Sequence, residues 1–212
     1  MLDSFSSEVV FPDAVGLSGL GRHLKVFVFA DPFQDFSRQH IRPLAEPWHR
    51  RSGEGLQILF PGHPDGTGGD PALARGVFAA AAEEVQSESG WRYRGKAAVV
   101  IASARDLPRV LQREWAQESL IDFDSLIEFE LERAMEHKAL ESPEVFLKAL
   151  VRRVESNPET ITQKSLGDSL GIATLGTVLI DALCEDLPVR GMEEGSGLLD
   201  FFRLRRKTGR AG

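Results

Sequence analysis

The sequence predicts an α/β protein: a three-layer sandwich around a mainly parallel sheet, followed by a C-terminal helical unit. Two observations lead there. Residues 25–30 (KVFVFA), 56–60 (LQILF) and 96–102 (KAAVVIA) are nearly continuous in apolar residues, as in strands covered on both faces, and helical stretches separate them as in βαβ units. The character then changes at Ser142-Pro143-Glu144, which supplies a cap, a proline at the first helical position and an early acid. The chain thus divides into an α/β domain at 1–140, a helical unit at 141–187, and a linker with a basic tail at 188–212.

The elements follow in order. Residues 8–11 form a short β-type run ended by Pro12, an edge strand at most, and the glycine-rich stretch 15–21 is a turn or short helix. The strand at 25–30 runs into Asp31-Pro32, a helix start. The helix after it spaces Phe33, Phe36, His40, Leu44 and Trp48 on one side, and Pro43 and Pro47 predict a break or kink near Ile41. After the strand at 56–60 comes the turn-rich PGHPDGTGGD. Asp70-Pro71 then starts an alanine-rich helix over 71–87. Residues 91–94 suit a β arm before the third strand. Helices are expected over 106–118 and 123–139, and again from 142 to 187.

Composition bounds the function. A chain of 212 residues, 42% hydrophobic and 27% charged, can bury a full core. A net charge of −7 repels phosphate, so nucleic-acid binding would need a local basic patch and is not favoured. Cys184 is the single cysteine, so no intrachain disulfide forms, and a lone thiol suits a reducing compartment. No apolar run approaches the ~20 residues of a membrane span, and residues 1–10 do not read as a secretory signal. The expected location is the cytoplasm, away from membranes.

KVFVFADPFQDF, a helix and then LQILF resemble the β-α-β opening of thioredoxin-like proteins; a flavodoxin-like sheet also fits the pattern. The resemblance implies two cysteines near the start of the helix. Phe33, Gln34, Asp35 and Phe36 stand there instead, and no proline directly precedes KAAVVIA. On this resemblance the chain is a redox-inactive version, used as a scaffold or for binding.

Candidate sites gather first outside the carboxyl ends of the strands, where an open α/β sheet binds ligands. The three strands would deliver Asp31, then His63 and Asp65, then Ser103, Arg105 and Asp106. A histidine flanked by carboxylates can act as a general base, although Asp31 and Asp70 also serve as caps and Asp65-Gly66 as a turn. His63, Asp65 and Asp31 are the catalytic candidates. The loop 62–69 follows a strand and precedes a helix, but lacks the lysine and spacing of a phosphate loop, and GLSGLG at 16–21 precedes its strand. No G-x-S-x-G and no closely spaced His or Cys pair is present, so neither a metal nor another cofactor is expected. The acids Asp122, Asp124, Glu128, Glu130, Glu132 and Glu136 fit the solvated face of a helix better than a metal site.

The C-terminal part offers a contact surface. Residues 162–183 resemble a helix-turn-helix, with Gly171 in the turn, yet the second helix, ATLGTVLIDAL, lacks the Arg, Lys, Asn and Gln that read base edges. Leu175, Val178, Leu179 and Leu183 form an apolar stripe. Phe201 and Phe202 precede Arg203, Arg205, Arg206, Lys207 and Arg210 in the tail. The reading that follows is a non-catalytic interaction or adaptor module contacting another protein, or a second copy, through these residues. Its alternatives are a DNA-associated regulator using the same unit, and an enzyme at the strand ends around His63.

Overall fold

The structure, a computed structural model, describes residues 22–52, 55–63, 70–106, 119–156, 175–187 and 198–206. One open sheet runs through it in the order β2-β1-β3-β4-β5. β1 (Arg22–Phe29) pairs in parallel with β2 (Leu56–Leu59). β3 (Ala98–Asp106) lies antiparallel to β1, β4 (Ser119–Phe129) antiparallel to β3, and β5 (Phe202–Arg206) antiparallel to β4. The fold is therefore α/β, but among the described strands the expected parallel character holds only for β1 and β2. A buried antiparallel strand flanked by helices reads as apolar as a parallel one, so KAAVVIA carried no sign of its direction.

Side-chain alternation in the strands divides the core in two. Leu24, Val26 and Val28 of β1 join Ile58, Val99, Ile101, Ile127 and Phe129 on one face. That face is covered by α1 (Arg42–His49), α4 (Pro143–Ser156) and α5 (Leu175–Asp186). Phe27, Phe29, Val100, Ala102 and Leu126 point the other way, against Ala82 and Val85 of α2 (Pro71–Ser89) and against Trp91.

Local chemistry explains the helix ends. Asp31 Oδ1 accepts the Phe33 amide at 2.9 Å, and a π-helical turn (Ser37–Ile41) leads into α1. The break expected near Ile41 falls at that junction: Pro43 enters where no amide donor is needed, and Pro47 stays inside α1. Asp70 Oδ1 accepts the Ala72 amide at 2.9 Å, and α2 ends on Gly90 at φ +72°.

Two expected elements differ. Residues 123–129 belong to β4, and helix resumes only as the short α3 (Leu131–Glu136). Ala102 opposes Leu126 while Ser103 opposes Asp122, so Phe123, Asp124 and Ser125 bulge from the β3 register. The bulge breaks the two-residue alternation and leaves a spacing that imitates a helix, so the acids from Asp122 to Glu128 lie on a strand rather than on a helix face. Residues 91–97 approach β3 without joining a strand. The run 8–11, the stretch 15–21 and most of the expected helix 106–118 lie outside the described residues, although Asp106 itself ends β3.

The described residues of the C-terminal third pack on the same core as the sheet. Phe129 stacks on Phe146 of α4 at 4.3 Å between ring centroids, and Phe202 meets Phe129 at 4.6 Å. Arg153 of α4 donates to the Ala182 carbonyl of α5 at 3.2 Å. Within the stretch expected as linker and tail, the described residues supply a 3-10 turn (Leu198–Phe201) and β5, the last of the described strands in the sheet order.

Candidate functional site

β1 and β2 end side by side, and their exits build the first cluster. His63 is buried, and its Nε2 lies 3.1 Å from the Ala30 carbonyl and 3.1 Å from Ser37 Oγ. A carbonyl oxygen only accepts, so Nε2 carries the proton and donates to it. The Ser37 hydroxyl then meets an N–H rather than a lone pair, so His63 cannot take the serine proton through this nitrogen. Burial pushes the His63 pKa below its ordinary value, and the Arg42 charge lowers it further, while the Ala30 hydrogen bond and Asp31 act in the opposite direction. The imidazole is neutral at pH 7.

Of the expected catalytic set, His63 and Asp31 stand near one another across this exit, with the Asp31 carboxylate accepting the Phe33 amide in the turn that precedes the helix; Asp65 lies outside the described residues. Ser103, Arg105 and Asp106 do not join them. Arg22 opposes Arg105 and Phe29 opposes Ala98, so antiparallel β3 carries its C-terminal end to the far side of the sheet. The N-terminal approach to β3 comes here instead. Tyr93 Oη accepts the Asp31 amide at 3.2 Å, and Gln34 Nε2 donates to the Gly95 carbonyl at 3.0 Å. Burial raises the Tyr93 pKa to about 12, so the phenol stays neutral. Ser37 and Tyr93 were not among the expected residues, because only the direction of β3 and the π-helical turn bring them in.

Beside this exit a cavity of about 130 Å³ is lined by Trp91, Arg94, Lys96, Ala97, Ala98, Glu128, Glu130 and Arg133. Glu130 receives Arg133 at 2.7 Å, Arg203 at 2.9 Å and Arg94 at 3.6 Å, and Lys96 binds Glu136 at 2.7 Å. Trp91 is fully buried, and its indole Nε1 has no acceptor among the described residues. Among those residues no three His, Cys, Asp or Glu side chains gather as a metal set.

The expected contact residues separate into two groups. Leu179, Leu183, Phe201 and Phe202 turn inward and belong to the core of this chain, because α5 lays that stripe against α4 and Phe202 meets the Phe129–Phe146 stack. Among the described residues of the C-terminal segment, Val178, Leu199 and Leu204 are exposed apolar side chains. Leu175 opens α5; Arg205 and Arg206 lie on β5 in register with Leu126 and Ser125. The first helix and the turn of the helix-turn-helix resemblance lie outside the described residues. Burial raises the Cys184 pKa to about 11, which leaves little thiolate near neutrality. No helix among the described residues is long and apolar enough to cross a membrane.

Comparison with known proteins finds no matching family model, no matching curated protein and no matching solved structure.

Proposed function

We propose that the protein is a non-catalytic interaction module of the cytoplasm that receives an acidic, extended segment of another protein along β5. The observation that carries this reading is the position and composition of that strand. Among the described strands β5 ends the order, paired with β4; Leu204 on it is exposed, and its sequence is FRLRR followed by Lys207. An edge strand offers backbone donors and acceptors to any extended chain, and charge decides which chain. A second copy pairing edge to edge would set arginine against arginine, which opposes self-association. An acidic strand meets the same charges favourably.

The strand-end exit supports the non-catalytic half. His63 holds its proton toward the Ala30 carbonyl, Ser37 is not activated, and Phe33 to Phe36 offer no thiol. The parallel β1–β2 pair with its intervening helix suits a thioredoxin-like scaffold kept for binding. Nucleic acid is disfavoured because Leu179, Ile180 and Leu183 of α5 are committed to the core.

Fluorescence anisotropy with two labelled peptides, one alternating Glu and Val and one alternating Lys and Val, tests the proposal. The acidic peptide binds, and Arg205→Glu with Arg206→Glu reverses the preference. Equal binding of both peptides, or no effect of the charge reversal, rejects it.

A further inference from the structure

β2 stands at the other end of the described strand order, and its sequence, LQIL, carries no charge. An uncharged edge strand is a template for a further strand, and folded chains blunt it with charge, a bulge or a cover. In the parallel pair Leu24 opposes Leu56, and the Leu24 amide donates to the Gly55 carbonyl at 3.0 Å. Backbone groups alternate between the two sides of a strand. Gln57 and Leu59 therefore turn theirs toward β1, while Leu56 and Ile58 turn theirs outward. Side chains from the end of α1 meet both outward groups of Ile58. Ser52 Oγ accepts the Ile58 amide at 2.9 Å, and His49 Nδ1 donates to the Ile58 carbonyl at 3.4 Å. Trp48, one residue before His49, is buried in the core and holds that end of the helix against the sheet. The Ser52 amide donates to the His49 carbonyl at 3.1 Å, in the turn that brings the serine to β2.

We infer that the end of α1 is a cover for the β2 edge, and that Ser52 and His49 keep a second copy of this chain from pairing there. The length of β2 makes two side chains sufficient. It spans four residues, so closing Ile58 leaves Leu56 alone to offer outward groups to a ladder. The imidazole nitrogen stands 3.4 Å from the Ile58 carbonyl, inside the roughly 4.8 Å that separates neighbouring strands, so it fills the place of an incoming backbone. The occupant excluded is the β2 of a second copy. Two LQIL strands meet without like charges, unlike two FRLRR strands, and each already lays Leu56 and Ile58 on a buried face. The two ends of the described strand order are thus treated differently. Arginines select what pairs with β5, whereas a side-chain cover withholds β2. This device stands whether or not an acidic segment docks at β5.

Amide exchange and sedimentation of the full chain test this. In ¹⁵N-labelled Ser52→Ala, the Ile58 amide exchanges about tenfold faster, the scale of one hydrogen bond, while the Gln57 and Leu59 amides keep their rates. Ser52→Ala combined with His49→Ala dimerises as concentration rises. Adding Gln57→Lys returns that variant to the monomer, because it sets lysine against lysine between the paired strands. His49 is exposed and Ser52 half-buried, so the circular dichroism of the double variant stays that of the parent. An Ile58 amide whose rate is unchanged in Ser52→Ala overturns the cover. So does a folded double variant that stays monomeric, or a dimer that Gln57→Lys leaves intact. A parent that is already dimeric and is split by Gln57→Lys overturns it as well, since its β2 edge would then be open.

Discussion

Gly62 and His63 show how closely single residues define the exit of β2. Gly62 sits at φ +78°, and a Cβ there would lie 2.7 Å from the Ala74 carbonyl oxygen and 2.8 Å from Phe78 Cβ. Both neighbours belong to α2, so the loop can touch that helix only without a side chain. Gly62→Ala is expected to cost at least ~2 kcal/mol, combining left-handed strain with a backbone clash. Gly76, inside α2, has nothing within 4 Å of a built Cβ, and Gly76→Ala should stabilise by about 1 kcal/mol. Urea unfolding of the two variants must move in opposite directions. His63 adds a pH signature. Its folded pKa lies below the 6.5 of the unfolded chain, so below that pH the unfolded state binds more protons. The stability tied to neutral His63 is whole above pH 6.5 and is lost as pH falls through 6.5 toward the folded pKa. Urea midpoints from pH 8 to 5 should therefore fall less in His63→Gln than in the parent; identical slopes would mean that His63 is not buried neutral.

Elements were legible in the sequence where a local signal fixed them, and illegible where a distant partner did. The end of α2 at Gly90 falls beyond the expected residue 87, whereas Asp70-Pro71 marks its start because cap chemistry lies within a few residues of the helix end. The apolar runs mark β1, β2 and β3 for the same reason. The direction of β3 left no such mark, since both faces are buried either way, and this one feature decides which side chains share the strand-end exit. It removes Ser103, Arg105 and Asp106 and brings in Tyr93 and Trp91. β4 was hidden by its bulge at Phe123–Ser125, which spaces Phe123, Leu126 and Ile127 as a helix would. The Trp91 cavity was invisible for a related reason: its lining comes from the approach to β3, the end of β4 and α3, joined only by the antiparallel pairing.

At the scale of the whole molecule, the described residues 198–202 contribute to the core. Leu198, Phe201 and Phe202 share the larger apolar cluster with β1, β3 and α4, and Arg203 holds Glu130 at 2.9 Å. Truncation after residue 187 removes Phe202 from the Phe129–Phe146 stack, and loss of a buried phenylalanine costs ~3–5 kcal/mol. Thermal unfolding of the truncated chain should shift down by many degrees or lose cooperativity. An unchanged midpoint would make 188–212 a dispensable tail. On the proposed reading, β5 receives an incoming strand of another protein, and its arginines discourage pairing with a second copy. The most direct measurement is an NMR map of where an acidic β-forming peptide lies on the ¹⁵N-labelled protein. Cross-strand contacts between peptide amides and residues 202–206, weakening as salt rises, are expected. Peptide contacts on the exposed Leu73 and Val77 of α2 with β5 untouched would contradict docking at this edge.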